Sequence, residues 1–112
     1  MKANEHIAPV KGIALESSHN YCNGRVLPVD YIGKVKRIAK RAKAKLHLDG
    51  ARCWNACVAL DMEPKDYLKD FDSIQVCLSK SLGCPIGSML VGSSKDIAIA
   101  RNHRKMLGGT LR

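Results

Sequence analysis

A chain of 112 residues is long enough for one domain with a real core and too short for two. With 46% hydrophobic and 26% charged residues it has the balance of a globular protein, and its apolar runs are too short for a transmembrane helix. The net charge of +9 raises the question of an anionic partner, but only 4% of the residues are aromatic, which leaves little for base stacking and argues against nucleic acid.

In chain order, Met1-Lys2-Ala3-Asn4-Glu5-His6 carries charge with no apolar segment behind it, so no secretory signal is read and a cytoplasmic chain is expected. Gly12-Ile13-Ala14-Leu15-Glu16 reads as a short buried strand, and Ser17-Ser18-His19-Asn20-Tyr21-Cys22-Asn23-Gly24 as a polar loop rich in turn formers. Asp30 is expected to cap a helix running to about Ala44. Its apolar positions Ile32, Val35, Ile38, Ala39 and Ala42 recur at helical spacing, which turns the basic residues between Lys34 and Lys45 onto a solvated face. A second strand, Leu46-His47-Leu48-Asp49, is stopped by Gly50, and a helix follows from about Ala51 to Leu60. Residues 64–69 hold a further helical turn or two, and 73–79 a third strand. The loop 80–85 leads to a fourth strand over 87–92, and the pattern turns helical again from Ser94 to Met106.

Short apolar strands alternating with amphipathic helices predict an α/β fold with its sheet covered on both faces. The step from the third strand to the fourth is too short for a parallel crossover, so one antiparallel pair is expected in a mixed, mostly parallel sheet. In such sheets ligands gather at strand ends. Those ends carry Glu16 and His19, Asp49 and Arg52, and Ser79 and Lys80. Five cysteines, an odd number with no export signal, read as reduced thiols. The spacings His19-x-x-Cys22 and Cys53-x-x-x-Cys57 are poor for metal, and Cys53 and Cys57 fit one helix face as small apolar residues, so no metal is expected.

An aspartate at a buried strand end is costly unless it meets a cation or a good donor. A lysine closing an apolar strand raises the same question, and an Asp49–Lys80 salt bridge or two solvated loop residues would answer both. The functional alternative is specific to one cofactor. A lysine amine can join an aldehyde as a Schiff base, and pyridoxal phosphate also needs an acid beside its ring nitrogen.

Leu46-His47-Leu48-Asp49-Gly50-Ala51-Arg52 with Asn55-Ala56 resembles the aspartate motif of the threonine aldolase family. Leu78-Ser79-Lys80-Ser81-Leu82-Gly83-Cys84-Pro85-Ile86-Gly87-Ser88 resembles that family's cofactor-lysine motif. Leu15-Glu16-Ser17-Ser18-His19-Asn20, Gly24-Arg25-Val26-Leu27-Pro28 and Arg104-Lys105-Met106-Leu107-Gly108-Gly109 are similar to further family motifs in the same order.

The resemblance implies the large domain of a fold type I pyridoxal-phosphate enzyme. Residues 1–112 would form part of that cofactor-binding domain, without the small C-terminal domain. By the same resemblance Lys80 holds pyridoxal 5′-phosphate, Asp49 pairs with its ring nitrogen, and Arg52 lies near the cofactor's phenolate oxygen or the substrate carboxylate. A planar guanidinium suits that last task better than an ammonium would. His19 would face the substrate's β-hydroxyl, directly or through water, and help deprotonate it. Ser79 would touch the phosphate or cap the loop, and Lys105 and Arg112 would approach anionic groups or remain at the surface. The implied reaction is retro-aldol cleavage of threonine or allo-threonine to glycine and acetaldehyde. The implied partners are a small amino-acid substrate and, in the full-length family, further copies of the chain, with no membrane and no nucleic acid.

Departures are visible too. Ser17-Ser18 stand where the family commonly has Asn-Thr, and Ser81 where it commonly has glycine, which a negative φ would allow. The family's upstream phosphate-binding loop and ring-stacking residue have no counterpart in these residues. A weak or inactive enzyme is therefore one expectation, and a non-catalytic remnant that associates with a full-length subunit is the alternative.

Overall fold

The computed structural model of the chain describes residues 8–109. Four strands, β1 (Gly12–Glu16), β2 (Lys45–Asp49), β3 (Ser73–Cys77) and β4 (Ser88–Gly92), form one sheet whose spatial order is also their chain order. β1, β2 and β3 are parallel neighbours, and β4 runs antiparallel to β3, as the short connecting loop requires. Helix α1 (Val29–Arg41) makes the first crossover, and α2 (Cys53–Ala59) with α3 (Pro64–Leu68) makes the second. Helix α4 (Ser94–Met106) follows β4. No helix among the described residues is long and apolar enough to cross a membrane.

The core lies on one side of the sheet. Register places Ile13 beside Leu46, and Leu15 beside Leu48 and then Ile74, so these side chains share a face. Against them pack Val35 and Ala39 from α1, and Cys53 and Leu68 from α2 and α3. Ile32, Ala56, Cys57 and Tyr67 join the three helices to one another. Fully burying Ile32, Leu46 or Leu48 contributes about 1.5–3 kcal/mol each, which makes this layer the main source of stability.

The expected cover on both faces is only partly realised. Gly12, Ala14, Lys45 and Asp49 on the opposite face are exposed, and α4 shields that face only near β3 and β4. There Ile97, Ala100, Arg101 and Arg104 line an open cavity of about 430 Å³ with Gln75, Ser88, Met89 and Leu90. The physical reason is the chain-order topology, which sends both parallel crossovers to the same side.

The cap of α1 also differs from expectation. Pro28 occupies the cap position, and Asp30 lies in the first turn, paired with Lys34 at 3.1 Å. A proline fixes the entry geometry without needing the donor it lacks, while Asp30 still sits favourably at the positive end of the helix. The lysine bond holds the exposed Asp30 carboxyl below its usual range. Ile38 is exposed rather than part of the buried stripe of Ile32, Val35 and Ala39. Beyond α1, Lys43 turns left-handed at φ 53°, and the Ala44 amide donates back to the Ala39 carbonyl. Asp72, just before β3, ties this corner together. Its Oδ2 accepts from Lys36 Nζ at 2.9 Å and from the Leu46 amide at 2.8 Å. Burial pushes the Asp72 carboxyl up, but the Leu46 amide and the Lys36 ammonium outweigh it and leave the group below its ordinary range.

Candidate functional site

The carboxyl ends of the three parallel strands are aligned by register. Glu16 lies beside Asp49, and Asp49 beside Gln75. The ladder continues past the strands, since the Ser17 amide donates to the Asp49 carbonyl at 3.2 Å and the Gly50 amide to the Gln75 carbonyl at 2.8 Å. One edge of the sheet therefore carries the three loops on which the candidate groups sit.

Gly50 is what lets β2 end there. A Cβ at that position would stand 3.0 Å from the Gln75 carbonyl oxygen and 3.2 Å from both Cys53 and Ile74. The chain turns at once into α2, with Arg52 half-buried at the cap position. Asp49 is exposed, contrary to the expectation of a buried strand-end carboxylate. Its Oδ1 accepts from the Ala51 amide at 3.1 Å, which aims the carboxylate along the start of that turn.

The loop after β1 is anchored from below. Ser17 and Ser18 are buried, and the peptide between them is cis. Ser17 Oγ lies 2.6 Å from the Tyr67 hydroxyl and accepts from the Leu27 amide at 3.3 Å, while the Tyr67 hydroxyl donates to the Leu27 carbonyl at 3.2 Å. Burial pushes the Tyr67 phenol above its usual range. The loop then closes on itself. The amides of His19 and Gly24 donate to the Arg25 and His19 carbonyls, both at 3.0 Å, with Asn23 and Gly24 left-handed at the turn. Above it, Glu16 Oε1 accepts from the Asn20 amide at 3.0 Å, and Glu16 Oε2 lies 3.4 Å from His19 Nε2. His19 Nδ1 is enclosed with no hydrogen-bond partner among the described residues.

Lys80 follows β3 by three residues, and its carbonyl accepts from the Gly83 amide at 2.9 Å to make a tight turn. Gly83 and Gly87 take positive φ of 70° and 118°, whereas Ser81 is not among the left-handed residues, so serine is accommodated there without backbone strain. Lys80 and Ser79 are both exposed. Among the described residues Asp49 and Lys80 form no salt bridge with each other; the ion pairs are Asp30–Lys34 and Lys36–Asp72, and Glu16 has only His19 beside it.

Lys105 is exposed near the end of α4, and Arg112 and the first seven residues lie outside the described region. No group of three or more histidine, cysteine, aspartate or glutamate side chains among the described residues is placed to hold a metal ion. Cys53, enclosed in the core, has its thiol pushed up to about 11 by burial and by neighbouring Cys57. Two supports were missed at the level of sequence. The Glu16–His19 pair had a signal in its i, i+3 spacing, while the Ser17–Tyr67 bond joins residues 50 apart and has none.

The profile of the family described as beta-eliminating lyase matches residues 1–112. The chain belongs to the beta-eliminating lyase family. A low-specificity L-threonine aldolase from Arabidopsis thaliana is 51% identical over 100 residues, which is 89% of this chain and 28% of that relative. The Escherichia coli low specificity L-threonine aldolase is 43% identical over 107 residues, covering 96% of this chain and 31% of its own length. A solved structure from Exiguobacterium sp. 255-15, assigned as an aromatic amino acid beta-eliminating lyase/threonine aldolase, superposes with a TM-score of 0.87 at 25% identity. It covers 94% of this chain and 30% of that one. The mixed, mostly parallel sheet with its helices is thus the threonine-aldolase fold, and the chain spans less than a third of the length of these relatives.

Proposed function

We propose that this chain forms part of the cofactor-binding large domain of a pyridoxal-phosphate-dependent threonine aldolase, cleaving threonine or allo-threonine to glycine and acetaldehyde. The observation that carries this reading is the gathering along one sheet edge, in a beta-eliminating lyase fold, of His19 with a carboxylate, Asp49, and an amine, Lys80, that have no ion-pair partner among the described residues. Two opposite charges that share an edge yet form no salt bridge suit a third, bipolar group between them. The donor set fits pyridoxal phosphate, which presents an aldehyde to an amine and a basic ring nitrogen to a carboxylate.

When bound, that cofactor supplies an electron sink for the Cα–Cβ bond that breaks. The residues do the rest. Lys80 Nζ would hold the cofactor through its aldehyde. Asp49 would pair with the ring nitrogen and favour its protonated form, which is the form that accepts electrons best. Arg52 follows Asp49 by three residues in the turn, and its guanidinium would meet the phenolate oxygen or the substrate carboxylate. His19 acts on the β-hydroxyl, directly or through water, and helps remove its proton. The substrate is a small amino acid, and the setting we infer is cytoplasmic, in a homo-oligomer, without nucleic acid.

A second reading has one observation in its favour. Met89, Leu90 and Val91 on β4 are all about half exposed, as expected of a strand that associates with a full-length subunit, so a non-catalytic role remains an alternative. Mixing the purified chain with pyridoxal phosphate and reducing with borohydride separates the two. Covalent label concentrated on Lys80 supports the aldolase reading, and label spread evenly over surface lysines sinks cofactor binding by this chain.

A further inference from the structure

We propose that Glu16 is a positioning residue that keeps the ring proton of His19 on Nε2, so that His19 meets the substrate's hydroxyl oxygen as a hydrogen-bond donor. This rests on the aldolase reading for its purpose, but its geometry stands in the chain by itself.

The main chain of His19 is fixed by its bonds to Arg25 and Gly24, leaving only the side-chain torsions to be set. Of the two ring nitrogens, Nδ1 is enclosed and has no partner among the described residues, whereas Nε2 faces Glu16 Oε2 at 3.4 Å. An enclosed N–H with no acceptor is among the rarer and costlier arrangements in a protein, and an enclosed lone pair is less so. A proton on Nδ1 would be stranded, and a proton on Nε2 has a carboxylate beside it. Glu16 is itself held, because its other oxygen accepts from the Asn20 amide at 3.0 Å. The tautomer of a histidine follows the surroundings of its two nitrogens, and here the enclosed, unpartnered Nδ1 disfavours the proton while the carboxylate near Nε2 favours it.

The consequence is chemical. A neutral ring with its proton on Nε2 and its other nitrogen enclosed has no open lone pair for a hydroxyl proton. It can instead donate to the hydroxyl oxygen, stabilising the negative charge that develops there as a solvent water takes the hydroxyl's own proton. The separation of 3.4 Å is longer than the usual span of a charge-assisted bond, which leaves the N–H free to turn from Glu16 to that oxygen.

Long-range proton–nitrogen correlation spectra of the intact, nitrogen-labelled chain at alkaline pH, where imidazoles are neutral, test this directly. His19→Gln identifies the His19 signals. The expected wild-type result is a protonated Nε2 and an unprotonated Nδ1, with a wider separation of the two nitrogen shifts than at the exposed His103. In Glu16→Ala the separation should contract toward that of His103, while His47, bonded to Ser73, stays unchanged. A wild-type proton on Nδ1, a separation no wider than that of His103, or an unchanged separation in Glu16→Ala would each overturn the proposal. If Glu16→Ala fails to fold, the wild-type spectrum alone still decides the tautomer. Borohydride labelling of the same protein is scored separately, so loss of the aldolase reading and loss of this inference are distinguishable outcomes.

Discussion

The His19 loop and the Lys80 loop leave the same edge of the sheet, yet they are held in different ways. The first begins with two buried serines and is bonded through Ser17 to Tyr67 on α3. The second is exposed from Ser79 to Ile86 and is shaped by backbone bonds between Leu78 and Gly87, Lys80 and Gly83, and Leu78 and Cys84. The contrast shows that this stretch of chain builds the histidine side of the site from its own interior. On the lysine side it supplies a turn and an amine, but no side-chain cover from residues 8–109.

The largest effect should come from the exposed loop. Lys80→Ala should abolish the specific borohydride-trapped pyridoxal label while leaving thermal unfolding unchanged, since the side chain makes no packing contact of note. Retention of a single labelled site in that variant would move the covalent role to another lysine and erase the contrast between the loops.

At the end of β2, which lies between the strands that carry these loops, Gly50→Ala should cost about 1–3 kcal/mol in urea unfolding, because a Cβ 3.0 Å from a carbonyl oxygen forces the backbone apart. Next, Tyr67→Phe should cost about 1–2 kcal/mol through lost buried hydrogen bonds. It should also speed amide hydrogen exchange at His19, Gly24 and Arg25 without altering Gly83 or Cys84. Equal acceleration in both loops would mean that Tyr67 supports the sheet edge generally rather than one side of it.

The smallest effect concerns Asp72, away from both loops. Its carboxyl titrates below its ordinary 3.8 when folded, so its contribution is complete above about that pH and fades as pH falls through the lower folded value. Asp72→Asn should therefore be less stable than wild type by about 1 kcal/mol at neutral pH, with the difference closing under acid. A gap that widens below pH 4 would contradict the assigned ion pair.

Much of the fold was legible because local patterns and the final packing agree. Helix α4 occupies Ser94–Met106 as read, with Ser93 capping through its bond to the Asp96 amide. The antiparallel β3–β4 pair followed from loop length alone. The chemistry at Asp49 and Lys80 was legible mainly through family resemblance, since their bare pattern suited a salt bridge equally well. What escaped the sequence was set by distance or by side. Periodicity marks a strand as buried, but it cannot say that both parallel crossovers share one face and leave Ala14 and Asp49 exposed. Nor can it join Ser17 to a tyrosine 50 residues away. At α1, a proline and an aspartate two residues apart both look like helix starts, and the proline took the position.

The agreement of spatial and chain order across the sheet also bears on how the molecule is made. Among the described strands, β2, β3 and β4 each pair with the one synthesised just before, so none of these three pairings waits for a distant segment. Assembly can proceed from the first crossover to the second as the polypeptide emerges. On that schedule the histidine loop, which needs Tyr67, becomes rigid only after α3 has docked, and Lys80 is the last group to arrive at an edge already laid out to receive it.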